Sequence, residues 1–170
     1  MLEIAGDEYA HAYGSGVTQV DILDVLEDNP RATLFGDIAN APHLPADAFD
    51  CVLVTQVLPF VWDVRAPFRT VHRILRPGGV LLATSPGLCR IAPVEDGLFG
   101  HWWNLTSRSA RRLTEEAFGE GNVEVEAFGN VLAAAAFLYG LGEWDLTADE
   151  LAVRDPAFEV TVGIRAVKRA

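Results

Sequence analysis

The chain has 170 residues, of which half are apolar and 22% are charged, as in one ordinary globular domain. Its 24 acidic residues outnumber 13 basic ones, and the formal net charge of −11 repels phosphate backbones and anionic lipid. We therefore expect neither nucleic acid nor a membrane surface as a partner. The two isolated cysteines, Cys51 and Cys89, and the absence of a signal-peptide pattern favour a reducing cytoplasm.

The N-terminal part of the chain predicts three short strands. They cover residues 2–5, residues 17–21, so that the second strand ends at Asp21, and residues 32–35. Only about eight residues lie between the turns that separate the first two strands, fewer than an ordinary crossover helix needs. The first crossover is therefore expected to be short or not properly helical.

The central stretch, residues 36–87, changes its period twice. Residues 51–58 form a nearly continuous apolar run, as in a strand buried on both faces. A helical stripe follows, made by Val64, Phe68, Val71 and Leu75. Pro77 and the glycines after it stop this helix, and residues 80–84 form a second buried strand. Strand, helix and strand predict a right-handed parallel βαβ unit, which sets the α/β class.

The C-terminal half begins with a stretch, residues 87–104, that predicts a long functional loop or lid. Thr106 is a suitable N-cap for a helix that ends at Gly119. A strand, a short apolar helix and an alternating last strand are then predicted over residues 122–127, 131–139 and 158–166. The prediction contains seven strands and at least three helices.

The central stretch reads GDIANAPHLPADAFDCVLVTQVLPFVWDVRAPFRTVHRILRPGGVLLATSPG, and residues 103–119 read WNLTSRSARRLTEEAFG. With its Gly-Asp, Leu-Pro, Phe-Asp and L-R-P-G-G elements, the chain resembles the class I S-adenosylmethionine-dependent methyltransferases, in particular the small-molecule branch often called type 11. The resemblance implies a single Rossmann-like domain over residues 1–170. It also implies a mostly parallel seven-stranded sheet, an antiparallel last strand and helices on both faces.

The resemblance implies S-adenosylmethionine as the cofactor and assigns residues to it. The family's glycine-rich first loop falls on Glu3, Ala5 and Gly6, where the single glycine lies one position off the pattern. Asp21 corresponds to the acid that accepts from both ribose hydroxyls, and Asp24 competes with it for this role. The alternative for Asp21 is a capping aspartate.

Further cofactor contacts are implied after the third and fourth strands. Asp37 corresponds to the acceptor of the adenine amino group, and the backbone N–H of Ile38 to the donor for the ring. The alternative for Asp37 is an Asx-turn. Thr55 and Gln56 end strand four, where either a ligand or the loop backbone satisfies their polar groups.

His101 is the candidate catalytic residue, because a neutral imidazole in the long loop could remove a proton from a hydroxyl or amine. The alternative is a surface histidine, and Glu95 with Asp96 are the other acid/base candidates. The four tryptophans are read as core or lid aromatics rather than as a substrate platform. No histidine–carboxylate cluster has metal-ligand spacing.

The sequence therefore supports two functions. The first is methyl transfer to a small molecule, such as a sugar or natural-product intermediate. The second is a non-catalytic methyltransferase-like binding or assembly domain, which the irregular first loop favours. The family's helices before strand one are missing, so the substrate side is expected to be open, truncated, or completed by a second copy or a partner subunit.

Overall fold

The computed structural model describes residues 1–169 and places seven strands of this part of the chain in one sheet. The strands are β1 (Leu2–Ile4), β2 (Asp21–Asp24), β3 (Leu34–Phe35), β4 (Phe49–Thr55), β5 (Leu75–Pro86), β6 (Val123–Phe128) and β7 (Thr161–Val167). The helices are α1 (Glu8–Tyr13), α2 (Arg65–Ile74), α3 (Pro93–Phe99), α4 (Ser107–Phe118), α5 (Val131–Tyr139) and α6 (Ala148–Ala152). None of these helices is long and apolar enough to cross a membrane.

The strand order is β3-β2-β1-β4-β5-β7-β6. β7 runs antiparallel to both of its neighbours, and the other neighbouring pairs are parallel. The chain proceeds outward from β1 to β3 and then returns to pair β4 with β1, so the order reverses between β1 and β4. Ligands of open α/β sheets bind outside the carboxyl ends of the strands at such a reversal. The expected α/β class, with its antiparallel last strand, is confirmed.

One face of the sheet is covered by α2 and α4. The apolar stripe of α2 supplies Phe68, Val71 and Ile74, each at most 2% exposed. Leu81 of β5 faces the same core and is 1% exposed. Burial of these side chains supplies the main driving force that attaches the helices to the sheet.

The opposite face of the sheet is largely open. Leu82 in the middle of β5 is 42% exposed. It lines a groove of about 980 Å³ together with Cys51, Leu53 and Phe128, and residues of α1 border the same groove. α1 has only six residues, which confirms the expectation of a short first crossover.

The predicted position of strand two is wrong. β2 begins at Asp21 and ends at Asp24, whereas the sequence pattern placed the end of the strand at Asp21. β1 pairs with the later segment, with Leu2 opposite Asp21 and Ile4 opposite Leu23. This register buries Ile22 and Leu23, because they are the apolar pair that both neighbours can cover.

The long loop predicted over residues 87–104 contains α3, which the sequence pattern missed. Pro93 occupies the first turn of this helix, and Glu95 and Asp96 lie there as well, so the start signals were present. The helix buries none of its residues, and it therefore lacks the apolar stripe by which helices are recognised. Smaller shifts affect β4, which ends at Thr55, and β7, which begins at Thr161.

The helix predicted between Thr106 and Gly119 is α4, and its N-cap is confirmed. Thr106 Oγ1 accepts a hydrogen bond from the backbone N–H of Ser109 at 3.2 Å. Replacing this cap removes a partner of one helix N-terminal donor. We expect Thr106→Ala to lower the free energy of unfolding by about 1 kcal/mol. Thr106→Ser keeps the hydroxyl and is the matched control in urea unfolding; equal losses in both variants would contradict the cap.

His72 on α2 makes stability depend on pH. Its ring packs edge-on against Phe118 at 5.1 Å between centroids. Burial, with a contribution from the nearby Lys168 charge, lowers the pKa of His72, and Asp47 opposes this shift. The unfolded state therefore binds the proton more readily, and stability falls as pH drops below about 6.5.

We expect His72→Gln to reduce that pH dependence. The measurement is the difference in unfolding free energy between wild type and variant from pH 8 to pH 5. Other groups titrate in both proteins, so the difference isolates His72. A difference that stays constant over this range would contradict the role of His72.

Candidate functional site

The carboxyl ends of the parallel strands bring several predicted site residues to one edge of the sheet. Ala5 follows β1, Asp24 ends β2, Asp37 follows β3 and Thr55 ends β4. The strand order places β1 between β2 and β4, so the edge is continuous from Asp24, one of the two candidates for ribose binding, to Thr55 at the end of β4. This edge is the candidate site.

Glu3 does not face this edge as a free acid. Its carboxylate is 3% exposed and accepts hydrogen bonds from the backbone N–H groups of Tyr9 at 3.1 Å and Ala10 at 2.9 Å. Both donors belong to the first turn of α1, where a negative charge is favoured by the helix dipole. Glu3 therefore positions α1 relative to β1.

The first loop, residues 5–7, keeps a glycine-like backbone without the glycine pattern. Ala5 has φ of +65°, in the left-handed region that side chains other than glycine rarely adopt. Its N–H donates to Leu23 O at 2.9 Å, and its carbonyl accepts from Asn29 Nδ2 at 3.3 Å. These contacts to β2 and the turn after it hold the strained conformation. Gly6 follows with little exposure.

Asp21 and Asp24 lie at opposite ends of β2. Asp21 lies at the amino end, away from the candidate site, whereas Asp24 lies at the carboxyl end and is 7% exposed. Asp24 Oδ1 accepts from the backbone N–H of Leu26 at 2.9 Å, and Oδ2 accepts from Asn29 Nδ2 at 2.6 Å. A carboxylate oxygen can accept two hydrogen bonds, so each oxygen of this buried acid retains acceptor capacity.

Asp37 forms an Asx-turn, which was the alternative to adenine binding in the sequence analysis. Its Oδ1 accepts from the backbone N–H of Ala39 at 2.8 Å. The residue is exposed and its other carboxylate oxygen has no hydrogen-bond partner among residues 1–169, so the turn does not use up the side chain. Ile38 beside it is buried.

Thr55 and Gln56 are held by β5. Gln56 has φ of +58°, its backbone N–H donates to Thr84 O at 3.0 Å, and its Nε2 donates to Thr84 Oγ1 at 3.2 Å. The partner of the Gln56 side-chain amide is therefore Thr84 of β5, and not the loop backbone that was the alternative to a ligand. Thr55 lines the groove on the open face.

His101 lies in a polar cluster that the sequence did not reveal. Its Nε2 is 3.3 Å from Asn104 Oδ1 and 3.6 Å from Cys89 Sγ, and the Cys89 thiol donates to Asn104 Oδ1 at 3.0 Å. Burial raises the pKa of Cys89, with the Asn104 hydrogen bond acting in the opposite direction. Because the Asn104 oxygen only accepts, the proton of a neutral His101 belongs on Nε2, and Nδ1 keeps the lone pair.

Aromatic side chains connect this cluster to the turn after β4. The His101 ring meets the Phe60 ring edge-on at 5.4 Å, and the backbone N–H of Trp102 donates to Pro59 O at 2.8 Å. Trp62 stacks edge-on with Trp102 at 4.9 Å, and the two side chains are 67% and 48% exposed. The cluster therefore stands beside the ends of β4 and β5, at the rim of the candidate site.

Among residues 1–169, no group of three or more histidine, cysteine, aspartate or glutamate side chains is arranged to hold a metal ion. Glu95 and Asp96, the other acid/base candidates, lie on exposed α3. Asp96 accepts from the backbone N–H of His101 at 2.8 Å, so it helps to set the His101 loop. Asp96 and His101 are only five residues apart in the sequence, but no pattern in that stretch indicated the contact.

Known proteins with similar sequences are methyltransferases, in agreement with the fold. Residues 5–83 match the family described as a methyltransferase domain. A Mycolicibacterium smegmatis protein described as an S-adenosylmethionine-dependent methyltransferase is 27% identical over 178 aligned positions, which cover 94% of this chain and 69% of that protein.

Solved structures are similar over nearly the whole chain. The complex of the Haloferax volcanii Trm112 methyltransferase activator with a methyltransferase matches with a TM-score of 0.63, 16% identity and coverage of 99% of this chain and 82% of that chain. The Haemonchus contortus phosphoethanolamine N-methyltransferase 2, in complex with phosphomonomethylethanolamine and S-adenosylhomocysteine, matches with a TM-score of 0.61, 17% identity and coverage of 100% and 49%.

At these identities the structural matches establish the fold, and the two sequence matches point to the methyltransferase family. The family pattern begins at Ala5 and includes the edge residues Asp24, Asp37 and Thr55. Strand order, family pattern and relatives agree. The chain is therefore similar to the class I S-adenosylmethionine-dependent methyltransferases in fold and in sequence, and these similarities support S-adenosylmethionine as its cofactor.

Proposed function

We propose that the chain is an S-adenosylmethionine-dependent methyltransferase that acts on a small-molecule acceptor, of the size of a sugar or natural-product intermediate. The observation that carries the proposal is the His101 cluster beside the carboxyl edge, where an imidazole nitrogen faces no protein partner. Nδ1 of His101 is buried and makes no hydrogen bond within residues 1–169. A buried polar atom costs free energy unless a partner satisfies it, and in this proposal a hydroxyl or amine of the acceptor becomes that partner when the loop around His101 opens to admit it.

The residues at the edge fit the cofactor. Asp24 is a buried acid with acceptor capacity left on both oxygens, which suits the two neighbouring hydroxyls of a ribose. In this proposal Asp24 takes the role first expected of Asp21. Asp37 offers its remaining carboxylate oxygen, and Ile38 its backbone N–H, to the adenine ring.

The remaining predicted contacts have more indirect roles in this proposal. Glu3 positions α1, and Ala5 and Gly6 bring the backbone of the first loop close to the cofactor. Gln56 holds the end of β4 against Thr84, and Thr55 stands next to it. These residues shape the site without a charged contact to the ligand.

The bound cofactor supplies a methyl group that is already activated by a cationic sulfonium. The chain then needs to align the acceptor and to exclude competing water. Phe60 and Trp102 provide apolar surface beside His101 for that alignment. Nδ1 of His101 takes the proton from the hydroxyl or amine that receives the methyl group, while Asn104 holds the Nε2 side of the ring.

The non-catalytic alternative is not favoured, because the edge residues are present and the sequence relative is described as a methyltransferase. The net charge of −11 also supports a small acceptor over nucleic acid. A second copy or partner subunit over the open sheet face remains part of the proposal. The groove beside Leu82 is the surface that such a partner would cover.

Asp24 and Asp21 give a matched pair of variants on one strand. We expect Asp24→Asn to weaken S-adenosylhomocysteine binding by about tenfold or more, because it removes a charged acceptor from the ribose site. Asp21→Asn should change the affinity by less than about twofold, since its charge lies at the far end of β2. Isothermal titration calorimetry measures both, with thermal unfolding as the check that each variant is folded. The reverse ranking would restore the first assignment to Asp21.

His101 is tested by separating binding from turnover. We expect His101→Gln to lower kcat by roughly a hundredfold with an accepted substrate, because the proton acceptor is lost. Cofactor affinity should stay within about twofold, since His101 lies outside the ribose and adenine contacts. The substrate comes from a screen of small hydroxyl and amine compounds for S-adenosylhomocysteine release. An unchanged kcat would show that His101 is not the base.

A further inference from the structure

An ion-pair cluster includes a residue of the first loop and has been given no role so far. Arg31 pairs with Asp7 through one terminal nitrogen and with Glu8 Oε1 at 2.5 Å through the other. His11 Nε2 lies 3.2 Å from the second oxygen of Asp7. The cluster thus joins the first loop and the start of α1 to the turn between β2 and β3.

The turn that carries Arg31 is tied to the candidate site. Asn29, two residues before Arg31, donates to Ala5 O at 3.3 Å and to Asp24 Oδ2 at 2.6 Å. It therefore bridges the ends of β1 and β2, and the Arg31 guanidinium emerges beside the first loop. The Arg31 side chain is 48% exposed and Glu8 is 64% exposed, so both are within reach of a ligand from solvent.

The charges in this cluster are unusual for a loop where backbone should approach the cofactor's amino-acid end. Two carboxylates, Asp7 and Glu8, stand at or next to positions that the family pattern gives to glycine. Unpaired, they would repel the carboxylate of that amino-acid group and attract its ammonium. Arg31 adds one positive charge, so the cluster presents both signs side by side.

We propose that Arg31 binds the carboxylate of the cofactor's amino-acid group and that Asp7 and Glu8 bind its ammonium. This assignment rests on the proposed cofactor site at the same edge. A guanidinium has five N–H donors in a planar fork that matches a carboxylate, and its contacts to Asp7 and Glu8 leave donors free. A zwitterionic ligand end thus meets a protein cluster of complementary signs, which replaces the glycine-rich contact.

The test compares two ligands that differ only at the amino-acid end. S-adenosylhomocysteine carries that group, whereas 5′-methylthioadenosine keeps the adenosine and the thioether without it. We expect Arg31→Ala to weaken S-adenosylhomocysteine binding by about tenfold or more, and 5′-methylthioadenosine binding by less than about twofold. Arg31→Lys should recover part of the loss, because it restores the charge but not the fork.

Arg76→Ala is the matched control. Arg76 also forms a partly exposed ion pair, with Asp50 at 2.7 Å, but at the start of β5 at the opposite edge of the sheet. Its loss changes the net charge equally and should alter neither affinity. If Arg76→Ala and Arg31→Ala weaken S-adenosylhomocysteine binding equally, the effect comes from the change in net charge, and the proposal is overturned.

Three further outcomes would overturn it. Unchanged S-adenosylhomocysteine affinity in Arg31→Ala would show that Arg31 makes no ligand contact. Equal weakening of both ligands would show that Arg31 only holds the turn and, through Asn29, the Asp24 site. Full recovery in the triple variant Asp7→Asn/Glu8→Gln/Arg31→Ala would show that Arg31 merely neutralises the two acids.

If the proposed cofactor site itself is wrong, the binding experiments give a different result from the failures of the Arg31 assignment. Wild-type protein that is folded but binds neither ligand at millimolar concentration would overturn the site and the Arg31 assignment together. Wild-type protein that binds both ligands with equal affinity would leave the adenosine site in place and overturn the amino-acid clamp alone.

Discussion

The pairing of β1 on both sides is the constraint on which the rest of the structure depends. This strand has three residues, yet it pairs in parallel with β2 on one side and with β4 on the other. Its register with β2 puts Asp24 at the carboxyl edge, and its pairing with β4 creates the reversal of strand order. The site exists where it does because this short strand has a buried Leu2 that tolerates no shift by one residue.

Two buried carboxylates on neighbouring strands have different tasks. Glu3 has backbone donors from the first turn of α1 on both of its oxygens, so its charge is used within the fold. Asp24 has one backbone and one side-chain donor and lies where a ligand can approach. A buried acid must be hydrogen-bonded in either case, but only Asp24 of these two stands at the carboxyl end of its strand, where its remaining acceptor capacity can serve a ligand.

The two faces of the sheet also differ in what they contribute. The face under α2 and α4 contains the close-packed core and supplies stability. The other face leaves Leu82 exposed in a central strand and has the six-residue α1 beside the groove. Loops at the carboxyl edge, including α3 and the His101 cluster, can therefore vary without disturbing the packed face, which is the usual division between scaffold and function in such folds.

The sequence by itself determined the elements whose signals are local. The apolar run before Thr55, the helical stripe of α2, the Thr106 cap and the alternation of β7 each report on residues within a few positions of one another, and each predicted the element that is present. Tertiary structure alone decided that β2 ends at Asp24, that α3 forms without a buried face, and that Arg31 meets Asp7 and Glu8. Strand register and ion pairs join residues that are distant in the chain, and the pattern on either side of such a contact does not contain the partner.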